Sequence, residues 1–307
     1  METKAVNTTA ELEKELGMSE QELFSFVEYH AEDAERIGYS EYSYWKSVFR
    51  NFLKNKAAVV MIIVFFAILI FSFVALWIGK YDYQHLIPDT NLCFQSPNSE
   101  YWFGTDNLGR DYWCQVWYAT QTPIKLAAIV ALGECLMGVT IGCIWGYVRK
   151  ADRFFTELYN IFDSVPTMIY MTLIALFIGQ TFWIMCASII LFHWMYMAKN
   201  VRNLVFMYRD REYNLASRCL GTNLFRILTK NILPYLISVI ILRVALSIPS
   251  TIALETTLSY LGLGLDVNTP SLGILLRNSR TFFLDYPYLL IFPAVIVSLV
   301  TITFYLA

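Results

Sequence analysis

The chain has 307 residues, 57% of them hydrophobic and only 16% charged, with a formal charge of −2. An ordinary soluble domain carries about 25% charged residues, so the composition excludes a soluble globular protein and gives no basic surface for a nucleic-acid partner. Several apolar runs approach the ~20 residues that cross a hydrocarbon core. The chain therefore reads as an all-α polytopic membrane protein with membrane lipid as its solvent.

Residues 1–45 are polar and acidic, with Glu11, Glu13, Glu15, Glu20, Glu22, Glu28, Glu32, Asp33 and Glu35 and no apolar signal core. Leu12, Leu16, Leu23, Phe24 and Phe26 suggest short amphipathic helices, and Ser19 with Glu22 fits a capping box. This extension is either a docking element or a solvated cap. Lys46, Arg50, Lys54 and Lys56 follow, then a first apolar run from Ala57 to Gly79. A basic cluster there holds the N-terminus in the cytoplasm.

Residues 80–122 form an outside segment, with Asp82, Asp89, Glu100, Asp106 and Asp111. The second span is expected over Pro123–Tyr147, with Arg149, Lys150 and Arg153 inside, the third over Leu158–Gly179 and the fourth over Thr181–Ala198. The inside loop 199–232 is basic, with Lys199, Arg202, Arg209, Arg211, Arg218, Arg226 and Lys230. A fifth span over Leu233–Leu258, an outside segment over 259–287 and a sixth span from Tyr288 complete the pattern. The basic loops alternate correctly, which gives six helices with both ends inside.

The loop 199–232 carries the most specific local signal. Glu212 to Leu220 contains no helix breaker, Gly221 stands where a left-handed residue closes a helix, and Asn223 is placed as the next N-cap. Leu224, Phe225, Ile227 and Leu228 give the second helix an apolar stripe, and Pro234 can open the following span. Ala216 and Ser217 are small enough for another protein to approach closely. A helix-turn-helix pressed against a soluble partner and an amphipathic helix lying in the lipid interface both fit these residues.

Several features point away from chemistry of the chain's own. Gly104 to Arg110 reads G-x-x-x-x-G-R, but Arg110 and Asp111 stand where a phosphate loop needs Lys and Ser or Thr. The six cysteines have no zinc spacing; Cys93 and Cys114 share the outside segment, where a disulfide is one option. His30, His85 and His193 are scattered, and no His-Glu-x-x-His or nucleophile–base pair suggests an intramembrane enzyme. Repeated broken helices, the sign of many secondary transporters, are not found. Gly138, Gly142 and Gly146 share one face of the second span and permit close helix packing.

Ionisable residues inside spans are costly. A central Arg costs roughly 2.5–3.5 kcal/mol on insertion scales, and the Leu, Ile and Val residues of a span return roughly 3–6 kcal/mol. Arg243 must then meet a partner or water, and pairing with Glu134, lining of a solute path and snorkelling all fit. Pro249 offers the fifth span a bend.

Ala216-Ser217, Gly221 and Leu233-Pro234 are spaced as in the coupling loop of ATP-binding-cassette importer permeases, with Leu215 where Glu is usual and Ser217 where Ala is usual. The residues Phe49 to Lys56 and Phe103-Gly104-Thr105-Asp106-Asn107-Leu108-Gly109-Arg110-Asp111 resemble the oligopeptide and dipeptide branch of that family. So do Asp163 with Pro166, Glu255 with Leu258 to Gly264, and Pro270 to Gly273. The chain, over roughly residues 45–307, resembles the "C" permease subunit of an oligopeptide importer, of streptococcal type by its acidic extension. Such permeases usually continue past the last span into a short polar tail, which residues up to Ala307 do not include.

The resemblance implies a type-I importer permease (MetI-like) fold of six transmembrane helices, in a bacterial plasma membrane. It implies a cytoplasmic extension over 1–45 and a permease domain over 46–307. Glu212, Ala216, Ser217, Gly221, Asn223, Phe225 and Pro234 would face the motor. Glu134, Asp163, Arg243 and Glu255 are the candidates for the solute path. Expected partners are a second related permease, two ATPase subunits that bind the ATP and magnesium, and an outside peptide-binding lipoprotein. No cofactor, metal site or catalytic residue is expected in this chain. Dipeptide and nickel importers carry related permeases and fit the same motifs.

Overall fold

The computed structural model describes residues 53–54, 56–78 and 92–306. The acidic extension, with its capping box, lies outside the described residues, as do His30 and His85. Residues 55–307 form one compact unit. Its helices are α1 (Lys56–Ile78), α2 (Tyr112–Tyr147), α3 (Arg149–Asp163), α4 (Thr167–Phe177), α5 (Phe182–Tyr208), α6 (Glu212–Cys219), α7 (Leu224–Arg226), α8 (Leu233–Leu261), α9 (Leu272–Ser279) and α10 (Tyr288–Leu306). A π-helical turn, Ile227–Ile232, joins α7 to α8, and a 3-10 turn, Arg280–Phe282, follows α9. Among the described residues five helices are long and apolar enough to cross a membrane, or six if the bent pair α3–α4 is one span.

Two expected spans differ from the sequence reading. The third is broken: α3 and α4 meet at an angle of 77°. Pro166 disfavours helical backbone at Val165, and the chain turns there before Thr167 resumes the helix. The second span starts at Tyr112, not Pro123, because Asp111 caps it by accepting a bond from Trp113 N at 3.0 Å. The extra turns are polar but buried. Gln115 donates to Asp106 at 2.9 Å, Gln121 to the Ser72 carbonyl at 3.0 Å, and Thr122 to the Pro270 carbonyl at 2.5 Å.

The centre of the fold is the α2–α5 pair. A Cβ on Gly138 would stand 2.5 Å from Met197 Cβ, one on Gly142 2.6 Å from the Ala198 carbonyl oxygen, and one on Gly146 2.7 Å from that of Arg202. The glycine stripe is thus a groove filled by α5, as its spacing predicts. In lipid, close contact of this kind rather than water exclusion holds helices together. At one end Tyr112, Val116, Ile252, Leu272 and Leu289 join α2, α8, α9 and α10; at the other Val201, Val205, Ile227, Ile232 and Leu236 join α5 to the π turn and α8.

Candidate functional site

The loop after α5 folds into a rigid elbow. Asn214 on α6 is fully buried, donates to the Tyr208 carbonyl at 2.9 Å, and accepts from Asn231 Nδ2 at 3.1 Å. The same Asn231 amide reaches Ser217 Oγ at 3.1 Å. Two side chains therefore fasten α6 to both the end of α5 and the π turn. Arg209 is buried and donates to the Gly146 carbonyl at 2.8 Å, which ties the elbow's root to α2. Arg218 bonds the Arg209 carbonyl and, at 2.9 Å, Asp210. That bond holds the Asp210 carboxyl below the ordinary aspartate range, with Arg209 adding to the effect.

The end of α6 matches the sequence reading closely. Thr222 N bonds the Ser217 carbonyl at 3.0 Å and Gly221 N the Arg218 carbonyl at 2.9 Å, the paired bonds of a Schellman closure. Gly221 has φ +74°, and nothing lies within 4 Å of where its Cβ would be. Asn223 has the extended backbone of an N-cap, but its side chain makes no capping bond.

Beyond Gly221 the expected short helix is mostly a π turn. Leu233 N reaches back to the Leu228 carbonyl, five residues away, and the helix then runs on through Pro234 without a break. The wider turn accommodates a residue that has no N–H to give.

Exposure sorts the predicted coupling residues. Glu212, Ala216, Gly221, Asn223, Phe225 and Pro234 are exposed, while Ser217 is half-buried and turned toward Asn231. Ser217 therefore braces the elbow rather than offering it a small contact. Large apolar side chains stand among exposed charges on the outward surface: Leu220 is 85% exposed and Phe225 71%, with Tyr213, Leu215 and Leu224 also uncovered, beside exposed Arg211, Glu212, Arg218 and Arg226. Sequence reading did not place Tyr213, Leu215 or Leu220 among the contact residues, noting Leu215 only as a departure from Glu, and it missed the fastening pair Asn214 and Asn231. The signal for Leu220 was its place one residue before the Schellman glycine, where a large apolar side chain is left projecting.

The four candidates for the solute path do not converge. Glu134 is buried with its Oε1 3.2 Å from His193 Nδ1 on α5, though without the alignment of a hydrogen bond. His193, for which the sequence offered no partner, is thus the neighbour of Glu134, and the Glu134–Arg243 pairing is not formed. The spacing explains it: Glu134 lies four residues before Gly138, on the stripe that faces α5.

Arg243 is exposed on α8 and makes none of the ion pairs found among the described residues. Asp163 is exposed at the α3–α4 break, beside the hydroxyls of Tyr159 and Tyr196. Glu255 has no exposed surface and does not line a path through this chain. It accepts from Ser259 Oγ at 2.8 Å and Thr256 Oγ1 at 3.4 Å, with Ser271 as a third partner.

Glu255 explains why two of the quoted sequence stretches go together. Ser259 Oγ also accepts from Leu265 N at 3.2 Å, and a Cβ on Gly264 would strike that hydroxyl at 2.3 Å. Ser271 caps α9 through Ile274 N at 3.4 Å. Residues 255–264 and 270–273 therefore form one knot between α8 and α9. The stretch 103–111 is a second knot: Asp106 accepts from Leu108 N, Arg110 N and Arg110 Nε at 2.9, 2.8 and 2.7 Å. Its glycines serve a carboxylate-centred turn and not a phosphate. Cys93 and Cys114 are not bridged; the Cys114 thiol is buried and points to Asp111 Oδ2 at 3.4 Å. Among the described residues no cluster of side chains could hold a metal ion.

Comparison with known proteins agrees with this arrangement. The family model for the inner membrane component of binding-protein-dependent transport systems matches residues 138–307. The model for the N-terminal TM domain of oligopeptide transport permease C matches residues 43–97. The chain is 35% identical over 288 residues to the oligopeptide transport system permease protein AmiD of Streptococcus pneumoniae, covering 93% of this chain and 94% of that one. It is 31% identical to the oligopeptide permease OppC of Bacillus subtilis, over 86% of this chain and 87% of the relative. It is 30% identical to the dipeptide permease DppC of Lactococcus lactis, over 89% and 90% respectively. With an all-helical, multi-pass fold and matches that span most of its length, the chain belongs to the family of binding-protein-dependent transport system inner membrane components, on the branch of the permease C subunits.

Proposed function

We propose that the chain is one of two related permease subunits of an ATP-driven oligopeptide importer, and that its elbow over residues 209–234 receives the push of a cytoplasmic ATPase. One observation carries the coupling assignment. A short helix that exposes large apolar side chains is fastened from beneath by Asn214, Asn231 and Arg209. An interfacial helix needs only an apolar face toward lipid. A helix that transmits force also needs stiff attachment to the spans, and this one has it. The oligopeptide permeases among its relatives support the solute class. The dipeptide permease relatives support a second reading in which the solutes are shorter. Uptake of peptides of graded length separates the two.

In this reading residues 1–45 are a cytoplasmic extension of a permease domain that begins near residue 46, and the N-terminus lies in the cytoplasm. ATP and magnesium belong to two partner ATPases, and a lipoprotein outside delivers the peptide. Nucleotide binding favours one state of the motor, the elbow follows, and the spans reorient because the solute path has different affinity for peptide in the two states.

Replacing Gly221 with Val tests the elbow. Its Cβ would meet open space, so packing is untouched, but a β-branched residue at positive φ is strained by roughly 1–2 kcal/mol. ATP-dependent peptide uptake is expected to fall sharply while the amount of permease in the membrane stays the same. Unchanged uptake with the full partner set overturns the coupling assignment.

A further inference from the structure

Basic residues favour the cytoplasmic loops of membrane proteins. Three arginines break that pattern and meet on the side expected to lie outside. A cavity of about 640 Å³ opens between the turn before α2 and the α9 segment, and its lining includes Arg110, Arg277, Arg280, Asn107, Asn278 and Gln115. Arg110 is already matched, since Asp106 accepts from it at 2.7 and 2.6 Å. Arg277 and Arg280 are not: among the described residues no carboxylate lies within 4.0 Å of either.

Both side chains nevertheless have close neighbours, Arg277 the nearer. The Arg277 guanidinium lies against the end of α8, where a Cβ on Gly262 would meet its Cζ at 3.0 Å. Arg280 lies 5.9 Å over the Tyr260 ring. Among the described residues no acidic side chain lines the cavity, and Ile274, Leu275 and Phe282 give it an apolar wall.

Two guanidiniums with no carboxylate in reach among the described residues, flanked by amide donors in a concavity, make a field that attracts carboxylates and forks that can bind them in pairs. The volume exceeds what a simple ion needs and suits a few side chains. We propose that this cavity is the socket for a protruding acidic loop of the outside binding protein, whose Asp or Glu carboxylates pair with Arg277 and Arg280. The proposal rests on the reading of the chain as a permease fed by such a protein, and it names where and by what chemistry that protein docks.

The test uses the whole transporter in nanodiscs of zwitterionic lipid and measures affinity for the purified binding protein at low and high salt. The variant with both Arg277→Glu and Arg280→Glu is expected to bind at least about tenfold more weakly at low salt, mainly through slower association, and to lose most of its salt dependence. The pair Arg277→Lys and Arg280→Lys should retain most of the binding. Arg280→Glu alone, at an exposed side chain, should shift affinity in the same direction and stands in where the double variant does not assemble.

Unchanged affinity in an assembled complex overturns the proposal and leaves the importer reading intact. A loss seen only with anionic lipid assigns the socket to a lipid headgroup and also overturns it. So does protection of the socket by free acidic peptide when the binding protein gives none, which assigns it to the solute. A wild-type complex that never acquires an ATPase sinks the importer reading itself, a different failure.

Discussion

Asn214 has no exposed surface, and both ends of its amide are used. Removing such a side chain leaves the Asn231 amide and the Tyr208 carbonyl short of a partner, which costs about 1–3 kcal/mol. Asn214→Ala should therefore leave α6 attached but loose. The expected outcome is faster limited proteolysis between residues 209 and 223 and reduced ATP-dependent uptake, with membrane insertion unchanged. Proteolysis at the wild-type rate would show that the elbow is fastened some other way.

Single residues were legible in the sequence where backbone conformation dictated them. Gly221 and the closing turn of α6 are such a case. Partners across helices were not, because pairing depends on helix rotation. Pairing of Arg243 with Glu134 was one of the readings that charge alone allowed. The i+4 stripe from Glu134 to Gly146 instead turns that carboxylate toward α5 and His193.

At the level of elements the α2–α5 pair was readable, since three glycines one turn apart mark a groove. Gly142→Leu should overfill it. The nearest atom to an added Cβ is a backbone oxygen, which has little room to yield. Overpacking of a tight contact typically costs 1–3 kcal/mol. A lowered melting temperature in detergent, with less monodisperse protein recovered, is expected. Gly221→Ala, with open space around it, overfills nothing; it carries only the strain of an L residue at positive φ, so recovery of monodisperse protein should not fall as it does for Gly142→Leu.

Reading Leu158–Gly179 as one run hides the broken third span, although only the part after Pro166 is continuously apolar and α3 before it is amphipathic, with Asn160 and Asp163 beside the bend. The early start of α2 was hidden for another reason. Its first turns are polar, and they are satisfied by Asp106 in the preceding turn and by the Ser72 and Pro270 carbonyls, which are distant in sequence.

For the molecule as a whole, the described surface fits a subunit that needs company. Val60, Ile63, Phe66 and Ile70 of α1 and Ile241 and Leu242 of α8 are large, apolar and exposed, as surfaces facing lipid or a sister subunit must be. An exposed Arg243 among them sits badly in hydrocarbon. We propose that it faces a subunit boundary or a watery path. The chain purified alone and placed in liposomes should neither hydrolyse ATP nor accumulate peptide. Either activity appearing in pure material, measured by phosphate release or by labelled peptide, would sink the reading of this chain as a conduit driven by others.

The π turn at Ile227–Ile232 gives the elbow one more property. Each of its bonds encloses a residue more than an α-helical bond does, so the two sides of the turn are offset by one residue, about 100° of helix rotation. A spare residue in a helical ladder behaves like slack in a thread. Passing it along by one place would rotate the stretch it crosses while only one backbone bond is exchanged at a time. A straight push on Phe225 and Leu220 can in this way emerge as a twist of the span that carries Arg243.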